Sequence, residues 1–389
     1  NIGGTGDRFA YFTQFGSGNS YGFGPNGNLV YGIRETLLGS DKLTWEKSYK
    51  TNIGLEMMLW GKLNLTLDYY WERRKDILIQ RSSLPSMAGF DASIYANMGE
   101  MDNKGVDANL EYQTRIGNKV GLRLFGNLTY SKNKIVFRDE PAMQYAYQKS
   151  EGTRYGEFYG YIAEGYFQSE EEIKKSPRQM RELAPGDIKY KDLNDDGVID
   201  ANDQCYLGKS WFPSWSYGMG FNINYHNFDL ALFFQGVSDV SIMANGGSID
   251  TGNGDWGASG VGIVPFTGMG LNPSNVITKA LDRWTADNPR ADAWYPRMTA
   301  NATTNDNNYV NSTHWLKDGS YLRLKQASLG YTLENKKLMD KGIEYLYFYL
   351  SGQNLLTFSK FKLWDPELGS NGAKYPLSRM VTLGMRVSF

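Results

Sequence analysis

The chain has one cysteine, Cys205, and two histidines, His226 and His314. One cysteine cannot build an internal disulfide framework or a Cys-rich zinc site. Two histidines far apart in sequence argue against His-based metal catalysis. An excess of either charge is also missing, since 41 Lys+Arg stand against 42 Asp+Glu for a net charge of -1. A nucleic-acid binder usually carries a basic excess or patch, so nucleic acid is not an expected partner. No run of about eighteen apolar residues occurs, which excludes transmembrane helices. The opening residues Asn1–Gly6 hold no initiator Met, basic segment or apolar core, so no signal peptide is expected there. The chain is therefore read as a mature or truncated piece of something longer.

Aromatics and glycine are abundant. Tyr 27, Phe 19 and Trp 10 make up 14% of the 389 residues, beside 44 Gly. That profile suits β architecture with many turns. It also suits a transmembrane β-barrel, whose aromatic girdles coexist with polar average hydropathy. Alternation carries the argument further. Leu63, Leu65, Leu67, Tyr69 and Trp71 share one parity, as do Val120, Leu122, Leu124, Leu128 and Tyr130. Trp215, Tyr217, Met219, Phe221, Ile223 and Tyr225 repeat the pattern, and so do Val381, Leu383, Met385, Val387 and Phe389. A period of two places each set on one face of a strand.

Candidate strands fall at 45–60, 62–80, 99–116, 120–138, 213–226, 228–240, 316–333, 344–357 and 379–389. Most exceed ten residues, whereas strands in soluble domains run to about five or six. Tight turns at Gly61, Gly117–Lys119 and His226–Asn227, and a modest one at 334–343, alternate with long connections at 81–98, 139–212, 241–315 and 358–378. Short turns at one end and long loops at the other describe an outer-membrane barrel. The expected fold is all-β, an antiparallel transmembrane barrel with 139–212 and 241–315 as long extracellular loops. A parity slip near Lys325-Gln326 reads as a β-bulge or as two shorter strands. Helical signals lie at 169–184, interrupted by Pro177, and at 275–287, where Val276, Ala280 and Trp284 share a face. The Gly- and Asn-rich stretch 244–274 reads as a flexible loop.

One motif carries sharp chemistry. Asp192, Asn194 and Asp196 occupy positions 1, 3 and 5 of a twelve-residue calcium loop, with Gly197 at the turn. The Val198 carbonyl, Asp200 and Asp203 would supply positions 7, 9 and 12. Hard oxygens at alternate positions wrap a cation the size of Ca2+. Asp at position 12 is shorter than the usual Glu, and the competing reading is a solvated acidic turn with no ion. The loop aromatics Trp211, Phe212, Trp215, Trp256, Trp294 and Tyr295 offer rings for stacking on sugars or closing a pocket; the alternative is interfacial girdle or loop packing. Trp211, Trp256, Trp294 and Tyr295 are the candidate substrate contacts. Asp365 and Glu367 form a carboxylate pair of the kind glycoside hydrolases use, yet beside Pro366 they read more readily as a turn. No catalytic residue is expected.

Several segments resemble SusC/RagA-type TonB-dependent outer-membrane transporters of Bacteroidota. They are Asn97-Met98-Gly99-Glu100 with Asn103–Asp107, Pro185-Gly186-Asp187-Ile188-Lys189-Tyr190 running into the calcium loop, and Ser320-Tyr321-Leu322-Arg323-Leu324-Lys325 with Leu329-Gly330-Tyr331. Ser351–Phe358, Asp365-Pro366-Glu367 and the terminal Phe389 complete the set. The resemblance implies the C-terminal part of a 22-stranded barrel, with the plug and earlier strands outside this chain. It implies import of large nutrients, oligosaccharides or oligopeptides, driven by TonB and closed by a SusD-like surface lipoprotein lid. Two alternatives stand beside it: a soluble calcium-dependent carbohydrate-binding β-protein and a secreted glycosidase.

Overall fold

The computed structural model describes the chain apart from residues 1–8, 25–26, 84–91, 118, 181, 246–277, 299–305, 341, 371 and 373–374. Trp256 and Val276 lie outside the described residues. The strands are β1 (Gln14–Phe23), β2 (Asn28–Leu38), β3 (Lys47–Leu59), β4 (Leu63–Gln80), β5 (Ser93–Ile116) and β6 (Val120–Phe137). Short strands β7 (Glu157–Gly160), β8 (Ala163–Tyr166), β9 (Ile188–Tyr190) and β10 (Cys205–Ser210) follow. Then come β11 (Trp215–Tyr225), β12 (Phe228–Ser238), β13 (Ser241–Met243), β14 (Leu316–Asp318), β15 (Tyr321–Leu333), β16 (Tyr345–Ser359) and β17 (Met380–Ser388).

The chain divides into two compact units. The first comprises 1–52, 70–104 and 132–155; the second comprises 53–69, 105–131 and 156–389. In the first, β1 pairs antiparallel with β2, and β2 meets β5 in a two-residue parallel contact, Leu37↔Ser93 and Leu38↔Ile94. Asn97 stitches this unit: its Nδ2 donates to the carbonyls of Thr44 and Asp76 at 2.9 Å, and its Oδ1 accepts from the Thr44 amide at 2.8 Å.

In the second unit β6, β11, β12, β15, β16 and β17 form an unbroken antiparallel run. The β11–β12 ladder keeps register from Trp215↔Ser238 to Tyr225↔Phe228. The expected slip is present as a register shift in β15, between Leu324 and Gln326 against β16 and opposite Phe233/Phe234 of β12. The connections joining β3 to β4 and β11 to β12 are the expected tight turns. Trp60 and Gly61 both take positive φ, 54° and 59°, the signature of a type I′ hairpin, and His226 takes φ 51°.

Many members of the alternating apolar sets are exposed. Val381, Leu383, Met385 and Phe389 are 68%, 80%, 58% and 84% exposed, and Leu67, Tyr69, Trp71, Met219 and Tyr225 are exposed as well. A soluble sandwich would bury these faces. The hydrophobic core instead lies among the long connections.

Four expectations change. The segments 14–23 and 28–38, not read as strands, are β1 and β2; Gly and Ser dilute their alternation, as in Gln-Phe-Gly-Ser-Gly-Asn-Ser-Tyr. The helix expected over 169–184 is confined to Glu170–Lys175, where the Ser169 hydroxyl accepts from the Glu172 amide and Pro177 follows the end. The helix expected over 275–287 is a 3-10 turn at Thr278–Leu281, after which Arg283 bridges Tyr295 in extended form. Ala280 and Trp284 are nonetheless buried, so the apolar spacing marked core residues and misnamed the backbone. Finally, Ala244 and Asn245, expected in a flexible loop, are buried core residues.

Candidate functional site

The long connections fold onto one another. Phe167, Ile188 and Tyr190 of one segment and Trp284, Tyr295 and Trp315 of the other are at most 6% exposed. Trp315 sits at the centre, with Trp294, Tyr295 and Tyr309 rings at 5.5, 5.7 and 5.5 Å. Its indole N–H donates to the Asn308 carbonyl at 2.7 Å, so the buried tryptophan leaves no unmet donor.

Polar ties run through this apolar core. Asn308 Oδ1 accepts from the Ile188 amide at 2.8 Å, while its Nδ2 donates to Asp187 Oδ1 at 2.7 Å. The Arg297 guanidinium donates to Asp187 Oδ2 at 2.9 Å. Gln179 donates to the Ile188 carbonyl and to Asn307, and accepts from the Tyr190 amide at 2.7 Å. Apart from the partly exposed Arg297, these groups are buried, so each unmet donor or acceptor among them would cost about 1–3 kcal/mol; the network is what lets irregular backbone pass through a core. Gly186 takes φ 93°, and a Cβ there would stand 2.2 Å from Trp284 Cε3. The signature run Pro185–Tyr190 thus closes the two segments together.

Two further signature segments meet at Arg323. This side chain is 1% exposed; Nη2 donates to both Asp365 oxygens at 2.6 and 2.8 Å, and Nη1 donates to Glu367 at 2.9 Å. The carboxylate pair that motivated the glycosidase alternative therefore serves as the counter-ion of a buried arginine. His314 is held neutral, its pKa lowered to about 4 chiefly by burial and next by the Lys317 charge. Its Nε2 lies 3.2 Å from the Trp294 carbonyl, as a protonated Nε2 of the neutral ring would. Lys317 is lowered to about 8, first by burial and then by Lys279.

The Asp192–Asp203 loop is closed by its own side chains. Asp192 accepts from the amides of Asp195 at 2.7 Å and Gly197 at 2.8 Å. Asp196 accepts from Val198 N at 2.8 Å and from Asn194 Nδ2 at 2.8 Å. Asp200 caps a 3-10 turn through the Asn202 amide. Asp203 is fully buried and spends both oxygens on the amides of Leu193 and Asp200, at 2.7 and 2.9 Å. Gly197 takes φ 83°, and Ile199 points into the core at 1% exposure. Among the described residues no three Asp, Glu, His or Cys side chains converge as a ready metal cluster.

The aromatic candidates separate. Trp211 is 38% exposed and tilts against Phe212 at 4.9 Å. Trp294 is half-buried, with the Lys317 ammonium 5.1 Å above its ring. Tyr295 is fully buried; the core has claimed its ring, and the expectation that it touches substrate is corrected on that ground. Trp215 packs on Tyr130 at 4.4 Å from strand to strand. Missed in the sequence were Asn307, Asn308 and Arg297, polar residues whose role depends on partners over a hundred positions away.

The family described as TonB dependent receptor-like, beta-barrel matches residues 4–355. TonB-dependent receptor P3 of Formosa agariphila is 28% identical over 389 residues, covering 92% of this chain and 36% of that protein. TonB-dependent receptor SusC of Bacteroides thetaiotaomicron is 24% identical over 398 residues, covering 99% of this chain and 36% of that protein. A chain of the RagAB peptide transporter superposes with TM-score 0.69 at 21% identity, over 98% of this chain and 39% of that one. This chain thus spans about a third of the length of the curated relatives it matches. The outward apolar strand faces are lipid-facing, and the soluble alternative gives way. The chain belongs to the TonB-dependent receptor β-barrel family and is part of an antiparallel barrel of the outer membrane.

Proposed function

We propose that this chain serves SusC-like, TonB-dependent import of nutrients too large for porins, either oligosaccharides or oligopeptides. A SusD-like surface lipoprotein is the proposed lid, and TonB acts through a plug region carried elsewhere in the complete protein. The observation that carries the reading is the folded core of the long connections. Loops built only to join strands need no buried Trp315 or Asp187–Asn308–Arg297 network. A rigid surface of that kind suits docking of a lid and of cargo. The likeness to SusC and to a RagAB peptide transporter chain supports the class and leaves cargo open between glycan and peptide. No catalytic role is proposed.

Calcium ordering of the Asp192–Asp203 loop belongs to the same proposal. Asp192, Asn194, Asp196, Asp200, Asp203 and the Val198 carbonyl would hold the ion; Asp192, Asp196 and Asp203 each accept two hydrogen bonds within the loop and keep further lone pairs for a cation. Calcium's contribution there would be to stiffen the loop. Chelator addition should then lower the thermal stability of the purified receptor; an unchanged melting curve would remove calcium from the reading.

The test of import is uptake by intact cells of labelled oligosaccharide and oligopeptide mixtures, with and without the gene and with a protonophore. Accumulation should require the gene and the proton gradient. Accumulation unaffected by either would overturn the proposal.

A further inference from the structure

A cavity of about 810 Å³ opens beside β14, between the turn at Thr278–Leu281 and the segment 360–363. Lys279, Lys317, Lys360 and Lys362 line it, against one carboxylate, Asp318. Trp294 and Phe361 give it an apolar wall, and Phe361 is only 6% exposed. Part of the positive charge is compensated: Lys279 pairs with Asp282 at 2.7 Å, and Lys360 stands 3.7 Å from Asp318. Lys317 and Lys362 have no carboxylate partner among the described residues. Lys317 donates to the His314 carbonyl at 2.6 Å and rests over Trp294. Burying an ammonium without a counter-charge is costly.

We infer that this cavity binds an acidic oligosaccharide, seating a carboxylate or sulfate group against Lys317 and Lys362 and an apolar sugar face against the aromatic wall. The inference rests on the proposed import function for the source of the ligand. The chemistry of the wall selects the class. Four ammonium groups donate hydrogen bonds and accept none. The side-chain acceptors are Thr278 and Asp318, and Asp318 already accepts from the Ser320 amide at 2.9 Å. An extended peptide brings a backbone N–H at nearly every residue and finds few side-chain acceptors here. Sugar hydroxyls and acid groups accept from lysines, and the ring's C–H face lies on aromatic carbon. The lowered Lys317 pKa fits an ammonium whose counter-charge arrives with the ligand.

The complete receptor in detergent micelles should be titrated calorimetrically with oligogalacturonate, a sulfated dextran oligomer, neutral dextran oligomer and hexaglutamate. The acidic saccharides should bind, with affinity falling as salt rises, and neutral dextran and hexaglutamate should bind at least about tenfold more weakly. Lys317→Gln and Lys362→Gln should each weaken acidic saccharide by about tenfold, or about 1.4 kcal/mol, and Lys317→Arg should restore part of it. Lys362 is exposed, so its variant guards against misreading a folding defect at Lys317. Equal binding of hexaglutamate, undiminished binding by the double Gln variant, or no acidic-saccharide binding by wild type would each overturn the inference. Cell uptake separates it from the import reading. Gradient-driven uptake of acidic saccharide indifferent to both lysines sinks the site alone. Lysine-dependent binding with gradient-independent uptake sinks import alone.

Discussion

Removing Arg323 and removing its two acids should not cost the same. Arg323 is 1% exposed, whereas the side chains of Asp365 and Glu367 are 17% and 40% exposed. In Arg323→Met the carboxylates lose their donor but can turn to water, and the new side chain fills much of the space. The loss is then mainly of charged hydrogen bonds, about 2–3 kcal/mol. In Asp365→Asn with Glu367→Gln the guanidinium stays buried without a counter-charge. Breaking a buried pair in that direction costs about 3–5 kcal/mol. The triple replacement removes the stranded charge and should regain part of that cost. Guanidinium chloride unfolding of the micelle-bound receptor, followed by tryptophan fluorescence, gives the three differences. The reasoning is refuted if Arg323→Met proves as damaging as the double carboxamide, or if the triple variant is worse than the double.

Further outcomes are expected elsewhere. Gly186→Ala should loosen the joined segments, since it demands both φ 93° from alanine and a Cβ 2.2 Å from Trp284; faster proteolysis within 156–212 measures it. His314 should make stability fall as pH drops from about 6.5 to about 4, because the unfolded chain takes up a proton that the folded ring refuses. That loss amounts to at most about 3 kcal/mol and should vanish in His314→Gln, compared by melting curves across that range. On β17, Leu383→Arg should destabilise the barrel by up to about 2–4 kcal/mol, for Leu383 is 80% exposed and belongs to the strand's apolar set. Thr382→Arg, on the opposite parity, should cost less in the same unfolding assay.

Most of the long strands were legible because lipid and the pleat impose a period of two, whereas β1 and β2, diluted by Gly and Ser, were not. The observed β4, β6, β11, β12 and β17 start and stop within two residues of the expected spans. The bulge in β15 was legible for the same reason, since one inserted residue reverses parity. The loop core was not legible, because its pairings depend on distance in the chain rather than on pattern. Nothing near Asn308 in sequence announces that Asp187 needs it, 121 positions away. Tyr295 and Trp294 look equivalent as neighbours in sequence, and only packing sends one into the core and leaves the other at a cavity wall. The Asp192–Asp203 spacing was visible, but the hydrogen bonds by which its own carboxylates close the loop were not.

The core shared by the connections also fixes an order of assembly. Ala163 N donates to Thr313 Oγ1 across 150 positions, and Tyr166 donates to the Ala293 carbonyl across 127. Both segments contribute to that core: Tyr166, Ile188 and Tyr190 come from one, Trp284, Tyr295 and Trp315 from the other. Long-range contacts of this kind form late, once the chain between them is in place. That intervening chain includes β11 and β12, so we expect the strands to pair before the surface matures. Until then the aromatic halves stand uncovered. The nascent protein should reach the membrane as a client of holding chaperones, with the core of its long connections completed only after insertion.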